Sequence, residues 1–328
     1  MHAILIQADQ SLAWCEVADP VVTANEILVE VHAAALNRAD LLQREGNYPP
    51  PPGWPQWMGL EVAGVVRQAP AGGRWKVGDK VCALLGGGGY AEQVAVPADM
   101  ALPVPSGLSM VEAAAIPEAF ATSYLNLCLE GGLKAGETVF IQAGASGLGM
   151  AAIQLAKILG AKVVTTVGSE DKEQFVRDLG ADVVINRKKE DIAAVMKQHP
   201  ADVAMDCVAG KNLGACLETL ARGGRWIVIA TLGGATSELN MTDFFKRGVK
   251  LIGSTLRSRT SEMKAEILAG LEKQLWPAFS SGRIKVLLHK TLPITEAEAA
   301  HAILQGQENL GKVVLTVGAD KSLEDVEQ

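Results

Sequence analysis

The chain has little of what would tie it to a metal, a membrane or nucleic acid. Its five cysteines (Cys15, Cys82, Cys128, Cys207, Cys216) are scattered, with no C-x-x-C pair. An odd, scattered set is the mark of reduced thiols and predicts a cytoplasmic protein. The five histidines (His2, His32, His199, His289, His301) show no ligand spacing and read as surface or core residues. No apolar run approaches the roughly 20 residues of a bilayer span, so no membrane partner is expected. Residues 1–5 lack the basic region of a signal peptide and read as a first strand. Positive charge is not in excess: 30 Lys and Arg stand against 37 Asp and Glu, for a net charge of -7. That balance argues against nucleic acid or an anionic surface as the main partner. There is no internal repeat, and no low-complexity segment beyond a proline-rich loop around residues 48–55.

What is present is the composition of an ordinary soluble globular protein, 48% hydrophobic and 20% charged, long enough for about two domains. Residues 138–160 are the most informative. A short β-branched run meets the turn Gly144-Ala145-Ser146-Gly147-Leu148-Gly149. A helical apolar pattern follows and stops at Gly160, and residues 161–167 read as another buried strand. Strand, glycine turn, helix and strand open a dinucleotide-binding fold. Small residues let the backbone approach a pyrophosphate, and the helix N-terminus offers free N–H groups and a positive dipole end. Ala145, Ser146, Gly147 and Leu148 are therefore expected at the cofactor.

The texture changes along the chain. The first 120 residues carry valines in short strands broken by Gly and Pro, as in a compact β-rich domain. From Ala113 the pattern turns helical, with Pro117 inside or starting a helix. Strands near residues 183–185, 202–206, 226–229 and 250–253 then alternate with helical stretches, which predicts a doubly wound parallel sheet. From about Glu262 a long helix, a strand near residues 286–288, a helix near Ala299 and a last strand at residues 313–315 read as a return that completes the first domain. The expected boundaries are 1–120, 121–257 and 258–328.

Several segments resemble the medium-chain dehydrogenase/reductase superfamily, and within it the zinc-free quinone oxidoreductases related to zeta-crystallin, with the p53-inducible branch nearest. They are residues 35–44 (ALNRADLLQR), 59–64 (GLEVAG), 113–119 (AAAIPEA), the glycine turn and 309–312 (NLGK). The resemblance implies an α/β protein with a GroES-like β-barrel catalytic domain and a doubly wound Rossmann domain, assembled as a homodimer. Residues 249–254 would be the strand that pairs with a second copy, although their apolar alternation also suits burial under helices. Many members are zinc alcohol dehydrogenases. Here Leu60 stands where their Gly-His-Glu histidine would be, and Asn37 lies in the segment that would carry the first cysteine. Leucine has no donor atom, so no metal is expected.

The resemblance also assigns a cofactor. Gly168 and Ser169 end the second strand, and Ser169, Lys172 and Arg187 map onto residues that grip the 2′-phosphate of NADPH. The family often has Tyr at the last position, and a cation there suits a phosphate. Glu170 and Asp171 fall one or two positions late for a ribose-binding acid and suit a first helical turn. Ser169 could equally be a helix N-cap, with the two cations simply solvated. Thr122, Ala230, Thr231, Leu232, Thr255, Leu256, Arg257 and Lys312 complete the expected cofactor contacts. Asn37, Asp40 and Tyr48 are the expected catalytic residues, lining the substrate side. The bland alternatives are that Asn37 and Asp40 cap a helix, that Tyr48 anchors a loop, and that Trp54 and Trp57 pack a core. The implied activity is an NADPH:quinone reductase passing hydride to a quinone or related conjugated carbonyl. An enoyl or alkenal double-bond reductase and a non-catalytic NADPH-binding protein are the alternatives.

Overall fold

The computed structural model describes residues 1–318 and divides into two compact units. The first takes residues 1–121 together with the chain from 257 onward, and the second is the uninterrupted stretch 122–256. The end of the expected return segment, from residue 319, lies outside the described residues.

In the first unit, β1 (His2–Ile6) and β2 (Leu12–Glu16) form an antiparallel pair. Then come β3 (Glu26–Ala35), α1 (Arg38–Arg44), β4 (Glu61–Gln68), β5 (Lys80–Leu84), β6 (Gln93–Pro97), β7 (Ala101–Pro103), α2 (Met110–Ala113) and α3 (Pro117–Tyr124). The valines read from the sequence set the inner face. Val29 and Val31 in β3, and Val62 and Val66 in β4, are buried, while the residues between them in β3 are only partly so. That period of two is what a half-buried strand requires. Gly64 sits where β4 crosses β3, and a Cβ there would overlap the Glu30 carbonyl oxygen at 1.9 Å.

The second unit runs β8 (Thr138–Ile141), α4 (Gly147–Ile158), β9 (Lys162–Val167), α5 (Glu170–Asp178), β10 (Val183–Asn186), α6 (Ile192–Gln198), β11 (Val203–Asp206), α7 (Leu213–Leu217), β12 (Arg225–Val228), α8 (Met241–Arg247) and β13 (Lys250–Gly253). Its six strands are all parallel, in the order β10-β9-β8-β11-β12-β13. The order reverses beside β8, so the glycine turn that follows β8 lies at the switch point where such sheets bind ligands. Phe140 and Trp226 pack ring against ring in the core beside Ile185, Met196 and Leu217.

The return brings α9 (Ser261–Ser280), β14 (Leu288–Pro293), α10 (Ala297–Gln305) and β15 (Lys312–Thr316) into the first unit. β15 lies between β14 and β3, so an early and a late segment of the chain share one seven-stranded sheet. The sequence placed a strand at residues 286–288, whereas the paired strand begins at Leu288. Ile284 and Val286 are buried in the core before the ladder starts, and the register slips between Leu288 and Lys290.

Candidate active site

In the first unit the expected catalytic residues Asn37 and Asp40 lie in one buried polar network. Asn37 is the N-cap of α1, and its backbone N–H donates to Asp40 Oδ2 at 2.7 Å. The same oxygen accepts from the Tyr90 hydroxyl at 3.1 Å, and Oδ1 accepts from the Gly59 N–H at 3.2 Å. Asp40 is 1% exposed, and burial pushes its carboxyl up to about 6 against the pull of those donors. The capping role weighed as an alternative is therefore present in the structure.

A second carboxylate lies alongside. Glu61, fully buried at the start of β4, accepts from Lys312 Nζ at 2.6 Å and Asn37 Nδ2 at 2.9 Å through Oε1. Its Oε2 accepts from the Glu118 N–H at 2.8 Å. Lys312 Nζ donates further to the Leu36 carbonyl at 2.7 Å and to Asn37 Oδ1 at 2.9 Å, so each ammonium hydrogen has an acceptor. Asn37 thereby accepts from the lysine and donates to the glutamate, which fixes which end of its amide points where. Glu118 at the start of α3 is pushed up to about 7, by burial first and then by the Glu61 charge, with Lys312 and Lys264 opposing.

Tyr48 begins the proline-rich loop that follows α1. It is half-buried, and among the described residues its hydroxyl has no hydrogen-bond partner. The guanidinium of Arg257 lies 4.7 Å from the centre of its ring. Burial raises the phenol, Glu118 adds to that, and the Arg257 charge draws it down. The loop rests on a run of four glycines after β5. The Trp54 indole lies against Gly86, where a Cβ would come within 2.6 Å of it, and Trp57 Nε1 donates to the Gly88 carbonyl at 3.0 Å.

The second unit carries the nucleotide signature. Ala143 takes a left-handed conformation, with φ 56°, which turns the chain from β8 toward α4. A Cβ on Gly144 would come within 2.2 Å of Thr165 Oγ1, and one on Gly149 within 2.5 Å of the Ala143 carbonyl oxygen, so helix and strand pack too closely for any other residue. Ser146 caps α4 by accepting from the Gly149 N–H at 3.0 Å. Neighbouring strand ends are tied together. Thr166 Oγ1 accepts from the Ala143 N–H at 3.0 Å, and Gln142 Nε2 donates to Asp206 Oδ1 at 3.2 Å. Asp206 also accepts from the Val208 and Ala209 N–H groups and from Trp226 Nε1. This rigid turn leads into the first turn of α4, whose N–H groups have no partner within the helix. It fits a dinucleotide pyrophosphate.

At the end of β9 the Arg187 side chain lies over Gly168, where a Cβ would sit 3.1 Å from Nη2. Ser169 occupies the N-cap position of α5 but makes no side-chain cap bond, and its hydroxyl bonds Asp171 instead. Glu170 pairs with Lys189. Lys172 follows, half-buried, in the first turn of α5. Ala230, Thr231 and Leu232 follow β12, and Thr255 and Leu256 follow β13, all beyond the carboxyl ends of parallel strands. The Thr122 carbonyl accepts from Asn126 Nδ2 at 2.7 Å, just before a π-helical stretch at Leu125–Glu130. Such wide turns recur at functional sites.

The expected cofactor contacts divide between the units. Ala145, Ser146, Gly147, Leu148, Gly168, Ser169, Lys172 and Arg187 belong to the second, as do Thr122 and the residues after β12 and β13. Arg257 and Lys312 belong to the first, where their charged groups bond internally. Zinc does not fit the first unit. Leu60 is buried and offers no donor, Asn37 is engaged with Lys312 and Glu61, and the cation at this place is an ammonium. Among the described residues no group of three or more His, Cys, Asp or Glu is arranged so that it could hold a metal ion. The sequence reading missed Tyr90, Glu61 and the four-glycine run. The run was the available signal, because consecutive glycines mark a close approach of other chain segments.

Two family patterns match the chain. The alcohol dehydrogenase GroES-like domain covers residues 23–106, and the zinc-binding dehydrogenase domain covers residues 147–272. The quinone oxidoreductase of Mus musculus is 30% identical over 309 residues, 92% of each chain. Among solved structures, the JamJ enoyl reductase in its apo form has a TM-score of 0.85 at 25% identity, covering 97% of this chain and 99% of that one. Mycobacterial Rv1454c complexed with NADPH has a TM-score of 0.82 at 26% identity, covering 96% and 100%.

Proposed function

Because this chain belongs to the medium-chain dehydrogenase/reductase superfamily and is an oxidoreductase of that group, we propose that it is an NADPH-dependent, metal-independent quinone reductase. The observation that carries the reading is Tyr48. Among the described residues it is the one tyrosine of the first unit whose hydroxyl has no hydrogen-bond partner, since the hydroxyl of Tyr90 is bonded to Asp40.

When bound, NADPH supplies a hydride from its nicotinamide ring to the acceptor. The glycine turn and the N-terminus of α4 hold the pyrophosphate, with Ala145, Ser146, Gly147 and Leu148 in contact. Ser169, Lys172 and Arg187 hold the 2′-phosphate through charge-assisted hydrogen bonds. Glu170 is neutralised by Lys189, which lowers the repulsion an acid would exert there. Thr122, Ala230, Thr231, Leu232, Thr255 and Leu256 exclude water around the nicotinamide. Tyr48 donates its hydroxyl hydrogen bond to the carbonyl oxygen on which negative charge develops, and its ring borders the apolar acceptor. Asn37 and Asp40 act at the same end by fixing the start of α1 and the loops beside it. Reduction of a quinone leaves an oxyanion that water protonates, so no stronger acid is required.

The similarity to an enoyl reductase supports a second reading, hydride addition to a conjugated carbon, for which the same Tyr48 contact would polarise the carbonyl. Steady-state NADPH oxidation with a panel of quinones and a panel of enones decides between them. Tight NADPH binding without turnover on either panel would overturn both. A homodimer is part of this proposal. β13 ends the six-stranded sheet, with Leu251 40% exposed and Phe245 on the neighbouring α8 68% exposed. A monomer by light scattering at micromolar concentration would remove it.

A further inference from the structure

Arg257 was expected beside the cofactor, yet its guanidinium is bonded entirely within the first unit. Nε and Nη2 both donate to the Gly86 carbonyl, at 3.0 and 2.9 Å. Nη1 donates to the Tyr48 carbonyl at 2.8 Å, and Nη2 donates to Gln43 Oε1 at 2.7 Å. Gln43 in turn donates from Nε2 to the Gln56 carbonyl at 2.9 Å. One planar fork therefore joins α1, both ends of the proline loop and the glycine run. The Arg257 backbone is fixed as well, because Lys264 Nζ donates to its carbonyl at 2.9 Å from α9.

The charge itself needs explaining. Arg257 is 6% exposed, and among the described residues no carboxylate makes an ion pair with it. Every acceptor it bonds is a neutral carbonyl or amide, Asp40 and Glu118 act on it only through space, and its guanidinium also lies against the Tyr48 ring. A buried cation without a directly bonded counter-ion is costly, and neutral side chains could bridge the same loops. What only a guanidinium supplies is the rigid fork together with a positive charge against the aromatic face.

We infer that Arg257 is the positioning residue for Tyr48. Its fork fixes the backbone of the loop, and its charge holds the ring and strengthens the phenol as a hydrogen-bond donor to the acceptor's carbonyl. Arg257 acts through Tyr48 and not through the cofactor. This rests on the proposed role of Tyr48 in turnover.

The test is a double-mutant cycle on the full chain, with Tyr48→Phe, Arg257→Met, Arg257→Lys and both double variants. Quinone kinetics, NADPH affinity and melting temperature are read for each. Arg257→Met should lower kcat about tenfold with NADPH affinity unchanged. Arg257→Lys, which keeps the charge but loses the fork, should recover part of that loss. In the Tyr48→Phe background the Arg257 substitutions should have little further effect on kcat, because the donor they orient is gone. If Arg257→Met does not fold, the lysine variant carries the same cycle. Losses that multiply in full would overturn the inference, as would weakened NADPH binding with unchanged kcat. A silent Tyr48→Phe would instead remove the proposed role of Tyr48, and the inference with it.

Discussion

Lys312 Nζ lies 2.6 Å from Glu61 Oε1, with both side chains almost wholly inaccessible to water. The pair joins β4, the first strand after α1, to β15, and Asn37 bridges it. Breaking such a pair from one side leaves a bare charge in a poorly polarisable interior, which costs about 3–5 kcal/mol. Lys312→Met should therefore destabilise the protein by that order in urea unfolding. Lys312→Met combined with Glu61→Gln should recover part of the loss, since no net charge is then stranded. A loss well under about 1 kcal/mol for the single variant would mean that water reaches Glu61.

Tyr48→Phe removes the hydroxyl while keeping the ring over Arg257. Turnover with quinones should fall on the order of tenfold or more, as for other donors to developing negative charge. NADPH affinity and melting temperature should hardly change. Full turnover in the Phe variant, with Tyr48→Ala failing only through instability, would make Tyr48 a loop anchor.

Arg187 and Lys172 should decide the nicotinamide preference. A hydrogen bond to a charged group contributes about 1.5–3 kcal/mol, so replacing both by Ala should weaken NADPH far more than NADH. Fluorescence titration with each cofactor measures this directly. Equal losses for the two cofactors, or a wild-type preference for NADH, would rule out the assignment.

Stability should depend on pH in an unusual direction. Glu118 is raised to about 7 from an ordinary 4.5, and Asp40 to about 6 from 3.8. In those windows the folded state binds more protons than the unfolded chain. Their contribution is therefore complete below about pH 4 and is lost as pH rises through 6 and 7. Carboxylates paired with cations, such as the half-buried Glu137 beside Arg225, work in the opposite sense. Urea unfolding between pH 4.5 and 7.5 should show a smaller decline with rising pH in Glu118→Gln than in the wild type. An unchanged profile in that variant would mean that Glu118 is solvated.

The two architectures were legible in the sequence because their signals are local. The turn from Gly144 to Gly149, the valine alternation of β3 and β4, and Pro117 at the start of α3 each depend on neighbours along the chain. The site was legible only where one residue type carries the chemistry, as with Leu60 in place of a histidine. What escaped depends on residues far apart in sequence. Glu61 and Lys312 are separated by 251 positions and Tyr48 and Arg257 by 209, and nothing nearby announces either contact. Ser169 shows a smaller limit. Its position is that of an N-cap, but the hydroxyl donates to the Asp171 carboxylate instead of accepting from a backbone N–H, a choice that composition does not settle.

The placement of β15 between β14 and β3 bears on how the molecule is made. A ribosome releases residues 122–256 as one uninterrupted unit, and their sheet can close while the rest is still being synthesised. The other unit has to wait. Until Lys312 emerges, Glu61 has no counter-ion and β3 lacks one of its neighbours along an open edge. The half of the protein that is translated first is thus the half that is finished last.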